Sequence, residues 1–333
     1  VESRLATETA RIEGLAAMLE HSDSRVLDAA DLEAIRLEIE ELKDAGERLE
    51  ELELRAGPRV GLIASAAQSV VFLQGAYGFV EPESGEPLRL TTGADGRPTV
   101  GPNGDPVVGL GGEGPVLEIF YTGTGFVATD DGRIVTNRHV AEPWLFDDQA
   151  RALAERGLEP VMRRFIGYLP GLAEPFEVTL VASSDTADVA VLRCGDQTVE
   201  LPVLALDGRA LAPGEEVTVL GYPTGIRAMI ARSQRAVLPA LEARGEVDFW
   251  EVAEVLAAGG HIAPLATRGI IGQITSDSVV YDAGTTHGGS GGPVIDGVGR
   301  VVAVNSAIMP DFAGANLGVP AAEALRLVES AAR

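Results

Sequence analysis

Apolar residues recur every seven positions at Leu5, Ile12, Leu19 and Val26, the spacing of a helical seam. A second series, Leu32, Ile35, Ile39, Leu42 and Leu49, has the alternating three-and-four spacing of a coiled coil but is out of phase with the first. A break between His21 and Asp31 accounts for the shift, with Asp28 or Asp31 as the cap of the second helix. Gly46 and Glu53 interrupt the stripe, and Gly57-Pro58 ends it, so residues 1–57 are predicted to form a helical coiled-coil or hairpin segment. Helices of this kind need a partner for their apolar face. Assembly with another copy or docking of a partner protein through residues 1–56 is the favoured reading, and packing as a hairpin on the rest of the chain is the other.

From residue 58 the pattern changes. Ser69 to Val80 reads as a strand, and Val189-Ala190-Val191-Leu192 as a buried one. Residues 81–115 are rich in Gly and Pro, and Asp95-Gly96-Arg97-Pro98-Thr99-Val100-Gly101 is echoed by Asn103-Gly104-Asp105-Pro106-Val107-Val108-Gly109. This repeated turn chemistry predicts a surface hairpin insertion. Residues 226–263, with apolar positions at Met229, Val237, Leu241, Val252 and Leu256, return to a helical pattern, and 321–332 read as an amphipathic tail helix.

The candidate chemistry centres on Gly288-Gly289-Ser290-Gly291-Gly292-Pro293. Glycines on both sides of one serine let the backbone turn tightly and approach a substrate closely. The strand-to-helix elbow of α/β-hydrolases also carries Gly-x-Ser-x-Gly, but its histidine follows the serine in the chain. Here the four histidines, His21, His139, His261 and His287, all precede Ser290. That order is excluded, and the base must come from upstream. His139 ends the β-branched run Ile134-Val135-Thr136-Asn137-Arg138-His139 after the turn signal Asp130-Asp131-Gly132, and Asp188 opens the apolar run between it and the serine. A serine hydroxyl needs a base to accept its proton, and the imidazole needs a third group to fix its tautomer. His139 is the candidate base and Asp188 its orienter. His21, in a polar helix break, and His261, in a Gly/Ala-rich turn, read as ordinary surface or core residues.

Three blocks in this order resemble the trypsin-like serine peptidases, and within them the disulfide-free bacterial branch that includes the HtrA/Deg proteases. Gly123-Thr124-Gly125-Phe126 with Thr136-Asn137-Arg138-His139-Val140 is similar to that branch's G-[ST]-G-F and T-N-x-H-V. Asp188-Val189-Ala190-Val191-Leu192 is similar to its D-[LV]-A-[VL]-L, and Gly288 to Pro293 to its G-N-S-G-G-P. The resemblance covers roughly residues 60–333, with Val301 to Ser306 and Asn316 to Pro320 as closing strands. It implies a mainly β fold of two six-stranded antiparallel β-barrels, chymotrypsin-like, at about 66–205 and 206–320, with 226–263 as a helical insertion in the second barrel. That insertion would overhang the cleft and restrict substrates, or simply decorate the surface.

The same resemblance implies a serine endopeptidase acting on protein or peptide substrates, with oxyanion donors at the backbone N–H groups of Gly288 and Ser290. It sets the substrate pocket at Gly284, Thr285, His287, Asn305, Ser306 and Ala307. Gly284 stands where trypsins carry an aspartate, so no buried charge awaits Lys or Arg. His287 stands on the rim, either touching substrate or merely exposed. Gly289 stands where trypsin-type zymogens carry the aspartate that pairs with a new N-terminal amine. No PDZ pattern follows the second barrel. The competing reading is a coiled-coil scaffold or adaptor carrying an idle protease fold.

Composition narrows the remaining classes. The 333 residues carry 26 basic and 50 acidic side chains, a net charge of −24, which argues against a nucleic-acid partner. The single cysteine, Cys194, permits no internal disulfide. No Cys, His and carboxylate spacing suggests a metal, and no cofactor is expected. Arginine outnumbers lysine 25 to 1, a bias that favours a bacterial source. No run of about 18 apolar residues suggests a membrane span. The chain opens on Val1 rather than Met, so a targeting or anchor segment outside it is expected, and bacterial cytoplasm and periplasm both stay open.

Overall fold

The computed structural model describes residues 59–331, apart from 94–96, 102–105, 196–200, 246, 286 and 287, and 309–314. The expected helical segment 1–57 lies outside the described residues. Two closed antiparallel barrels of six strands each make up the body. After a helix at Arg59–Ala67 (α1), the first barrel takes β1 (Val70–Val80), β4 (Ile119–Val127), β5 (Arg133–Thr136), β6 (Glu159–Tyr168), β7 (Phe176–Ser183) and β8 (Ala190–Cys194). Its strands close in the order β1-β4-β5-β8-β7-β6. The predicted hairpin is present as a separate two-stranded sheet of β2 (Leu88–Leu90) and β3 (Val108–Leu110).

The second barrel takes β9 (Glu216–Gly221), β10 (Leu265–Ile274), β11 (Val279–Tyr281), β12 (Pro293–Ile295), β13 (Val301–Ile308) and β14 (Asn316–Pro320), closing as β10-β11-β14-β13-β12-β9. Closure leaves no unpaired edge within either barrel. The pleat of each strand sorts its side chains to two sides. Val71 and Leu73 of β1 point into the first barrel with Phe165, Phe176 and Ile134, whereas Phe72 points outward into a core shared by both barrels. Val217, Val219, Ile271, Tyr281, Val294 and Val302 fill the second barrel.

The stretch between β9 and β10 folds into two helices, Ile226–Arg244 and Phe249–Ala258; two short elements, Arg138–Ala141 (α2) and Asp148–Glu155 (α3), precede them, so they are α4 and α5. Gly245, at φ 81°, turns the chain between them, and Asp248 with Glu251 forms a capping box that starts α5. The pair is not a surface decoration. Met229, Ile230, Val237, Leu241, Val252 and Leu256 are buried in the same core as Phe72, Tyr168 and Tyr222. So large an apolar face needs an apolar surface to cover, and the outer face of β1, β4 and β6 supplies it. The Gln74 side-chain amide donates to Phe249 O at 2.6 Å, Phe120 lies 4.9 Å from the Phe249 ring, and the Arg164 guanidinium sits 4.4 Å over the Trp250 ring. The insertion leaves one barrel and docks on the other. A tail helix, α6 (Ala321–Ser330), packs on β13 and β8. Among the described residues no helix is long and apolar enough to cross a membrane.

Because Trp250 seats α5 on the first barrel, Trp250→Ala should destabilise the fold by about 2–3 kcal/mol, the low side for an aromatic truncation of a half-buried ring. Urea unfolding measures this. An unchanged midpoint would mean that the insertion is not held there.

Candidate active site

Strand pairing brings His139 to Asp188. β5 and β8 run antiparallel with Thr136 opposite Ala190, and two rungs further on the chain enters α2 from one side and the Asp188 turn from the other. Asn137, wholly buried at the start of α2, donates its side-chain amide to Asp188 O at 2.7 Å. This bond fixes the carboxylate's backbone. The carboxylate then accepts the His139 backbone N–H on Oδ1 at 3.0 Å and His139 Nδ1 on Oδ2 at 2.8 Å. An ionised carboxylate can only accept, so Nδ1 carries the proton and Nε2 is left as the free lone pair.

Asp188 is further held by Ser306, whose hydroxyl donates to Oδ2 at 2.5 Å. Burial pushes the Asp188 carboxyl up, but the hydrogen bond and charge of His139, the Ser306 hydroxyl and the His139 N–H together hold it below its ordinary value. Ser306 was expected on the pocket wall. Its hydroxyl lies under the carboxylate, a contact across 118 residues that no local spacing announces.

Ser290 stands on a turn between Gly288 (φ 88°) and Gly291 (φ 86°). A Cβ at Gly291 would meet Thr124 O at 2.0 Å and Thr136 Oγ1 at 2.3 Å, so the conformation and the space both require glycine there. Thr124, fully buried on β4, reaches the turn from the first barrel: its N–H donates to Ser290 O at 2.9 Å and its hydroxyl to Gly288 O at 2.6 Å. From the second barrel comes Asn305 of β13, whose side-chain amide donates to Gly289 O at 2.8 Å. The loop after β9 backs the turn, since a Cβ at Gly288 would meet Tyr222 O at 2.6 Å. In that loop Thr224, at φ 56°, is the one non-glycine described residue in the left-handed region, a conformation that costs a β-branched side chain on the order of 1–3 kcal/mol.

The Ser290 hydroxyl donates to Ser306 O at 3.0 Å. Among the described residues, no hydrogen bond joins it to His139. Catalytic hydrogen bonds often form only when substrate is bound, and the resting rotamer is one in which the hydroxyl is satisfied by a carbonyl.

Of the expected pocket residues, Gly284 is exposed, faces open space where a Cβ would stand, and accepts the Thr267 hydroxyl on its carbonyl at 2.6 Å. Thr285 is half-buried beside Asn305, at 3.4 Å. Asn305 itself is 1% exposed, with its side chain turned behind the serine turn. Ala307 lies in β13 opposite Leu317, and His287 is outside the described residues. Cys194 is a buried thiol pushed up to about 11 by burial, well away from a reactive range. Among the described residues, no cluster of three or more His, Cys, Asp or Glu side chains is arranged to hold a metal.

Two closed antiparallel barrels of six strands each define a chymotrypsin-like architecture. A family model for the trypsin-like peptidase domain matches residues 123–304, more than half the chain, and the chain belongs to that family. Among curated relatives it is 27% identical over 212 residues to a probable periplasmic serine endoprotease, DegP-like, of Bartonella henselae, covering 62% of this chain and 32% of that one. It is 27% identical over 204 residues to the human serine protease HTRA4, covering 60% and 33%. Relatives of the HtrA branch thus recur, and the chain spans about a third of the length of the curated relatives it matches. Among solved structures, the active form of the Rv3671c protease of M. tuberculosis aligns with a TM-score of 0.46 at 20% identity, covering 80% of this chain and 82% of that one.

A carboxylate held below its ordinary value in the folded protein stabilises the fold above its unfolded value of about 4, and that contribution is lost as the pH falls through the lower folded value. The stability difference between the parent and Asp188→Asn should therefore be present at about pH 5 and shrink below about pH 4. Urea titrations at each pH measure it, and a difference that does not change on acidification would contradict the assignment.

Proposed function

We propose that the chain is a serine endopeptidase that hydrolyses peptide bonds through His139, Asp188 and Ser290. The observation that carries this reading is the His139–Asp188 pair, bonded through both the imidazole and the backbone N–H, beside a serine turn gripped from both barrels. On substrate binding the Ser290 hydroxyl leaves Ser306 O and gives its proton to His139 Nε2 as Oγ attacks the scissile carbonyl. Asp188 stabilises the imidazolium. The N–H groups of Gly288 and Ser290 receive the charge that develops on the carbonyl oxygen, each such donor being worth about 3–4 kcal/mol. His139 then protonates the leaving amine, and water, deprotonated by the same nitrogen, releases the acyl group and restores Ser290.

The pocket residues support small or medium apolar side chains before the scissile bond. Gly284 supplies no acid, and Thr285 is a neutral hydroxyl. The alternative, a coiled-coil scaffold or adaptor carrying an idle protease fold, is not favoured: the resting bond of the hydroxyl to Ser306 O is compatible with a nucleophile that changes partner when substrate binds. The two readings differ in turnover.

Ser290→Ala and His139→Ala should each lower kcat for peptide hydrolysis by about 10⁴-fold, because members of such a unit fail together. Sequencing the new termini made by the parent should find apolar residues, not Arg, before the cut. Variants within tenfold of the parent would sink the nucleophile and base, and an Arg-dominated profile would sink the pocket.

A further inference from the structure

The N–H of Ser290 belongs to the peptide that begins at Gly289, and its direction is set by that peptide. Among the described residues no peptide bond is cis. In a trans peptide the carbonyl and the N–H point in opposite directions, so whatever holds Gly289 O aims the Ser290 N–H. Gly289 has no side chain by which it could be anchored, and it lies between two glycines, Gly288 and the one beyond the serine, both in the left-handed region. A glycine-rich turn has the widest choice of conformations and needs external bonds to select one.

Two bonds do so. Gly292 N–H donates to Gly289 O at 3.1 Å within the turn, and the Asn305 side-chain amide donates to it at 2.8 Å from β13. Asn305 holds the flanks of the serine as well: its carbonyl accepts Gly291 N–H at 2.7 Å, and its own N–H donates to Gly292 O at 2.8 Å. A carbonyl oxygen can only accept, so the nitrogen of the Asn305 amide must face Gly289. Its oxygen is thereby turned to Tyr281, whose hydroxyl donates to it at 2.6 Å. Tyr281 and Asn305 are each 1% exposed. Water does not compete for these bonds, and burial keeps the phenol protonated.

We propose that Asn305, oriented by Tyr281, is the positioning residue that aims the Ser290 N–H as an oxyanion donor. The proposal rests on the reading of Ser290 as the nucleophile. Neither side chain need touch substrate. The pair acts from behind the turn, and among the described residues the side chains that grip the turn, Thr124 of the first barrel and Asn305 of the second, are both neutral.

The test uses the full chain, a peptide substrate with an apolar residue before the scissile bond, and the matching peptide aldehyde, whose hemiacetal places an oxyanion in the same hole. Tyr281→Phe keeps the ring and removes only the hydroxyl; Asn305→Ala removes the grip. We expect kcat to fall at least about tenfold in Tyr281→Phe and about 10²-fold or more in Asn305→Ala, with KM within about twofold and aldehyde inhibition weakened in parallel. The double variant should be no worse than Asn305→Ala, because Tyr281 acts through it. A Tyr281→Phe protein that keeps kcat within about threefold overturns the proposal whether or not Asn305→Ala folds. So does a loss expressed in KM alone. Ser290→Ala separates the two levels: if it remains active, the nucleophile is wrong and the proposal falls with it, and if it is inactive while Tyr281→Phe is unaffected, only the positioning role is wrong.

Discussion

Thr124 ties the serine turn to both barrels with every polar group it has. Its N–H holds Ser290 O and its hydroxyl holds Gly288 O, while the same hydroxyl oxygen accepts Tyr222 N–H at 3.0 Å and its carbonyl accepts the Thr136 hydroxyl at 2.7 Å. The residue is wholly buried, where an unmade hydrogen bond costs about 1–3 kcal/mol. These four contacts are satisfied together only when β4, the end of β5, the loop after β9 and the serine turn meet at one distance. The bulk-free positions around Thr124 follow from the same constraint. Gly123 packs on Val140, with a Cβ there 2.5 Å from the valine methyl, and Gly291 has no room against the Thr124 carbonyl.

The acid-base pair depends on a second set of contacts on the same strands. Asn137 and Thr136 are neighbours at the end of β5, one fixing the Asp188 backbone and the other Thr124. Ser306 then links the two sets, because its hydroxyl serves the Asp188 carboxylate and its carbonyl serves the Ser290 hydroxyl. The carboxylate is thus oriented by three donors before any substrate arrives. On the proposed mechanism the electrostatic work of stabilising an imidazolium is pre-arranged, whereas the serine hydroxyl must still change partner.

Much of this was legible in the sequence because it is local. The position of the histidines decided the chain order of the candidate residues, β-branched runs marked the strands at Ile134 and Val189, and repeated turn residues marked the hairpin of β2 and β3. What was not legible is long-range and mediated by backbone carbonyls. The resemblance implies a pocket wall at Asn305 and Ser306, and nothing local says that strand register turns one side chain behind the serine turn and the other under Asp188. Tyr281 carried no signal beyond an apolar strand position. The helical character of 226–263 was evident from its periodicity, whereas its docking on β1, β4 and β6 depends on Phe120, Gln74 and Arg164, residues distant in sequence whose outward direction only the closed barrel defines.

The central claim is that Ser290, served by His139, is a nucleophile. A peptidyl phosphonate with an apolar residue at its reactive end, incubated with the full chain and followed by intact mass and peptide mapping, tests it most directly, since the reagent captures only a serine whose proton is removed by a base. The account predicts one adduct per chain, on Ser290, formed by the parent and not by a folded His139→Ala variant. A folded parent chain that acquires no adduct, or acquires it at another serine, would contradict it.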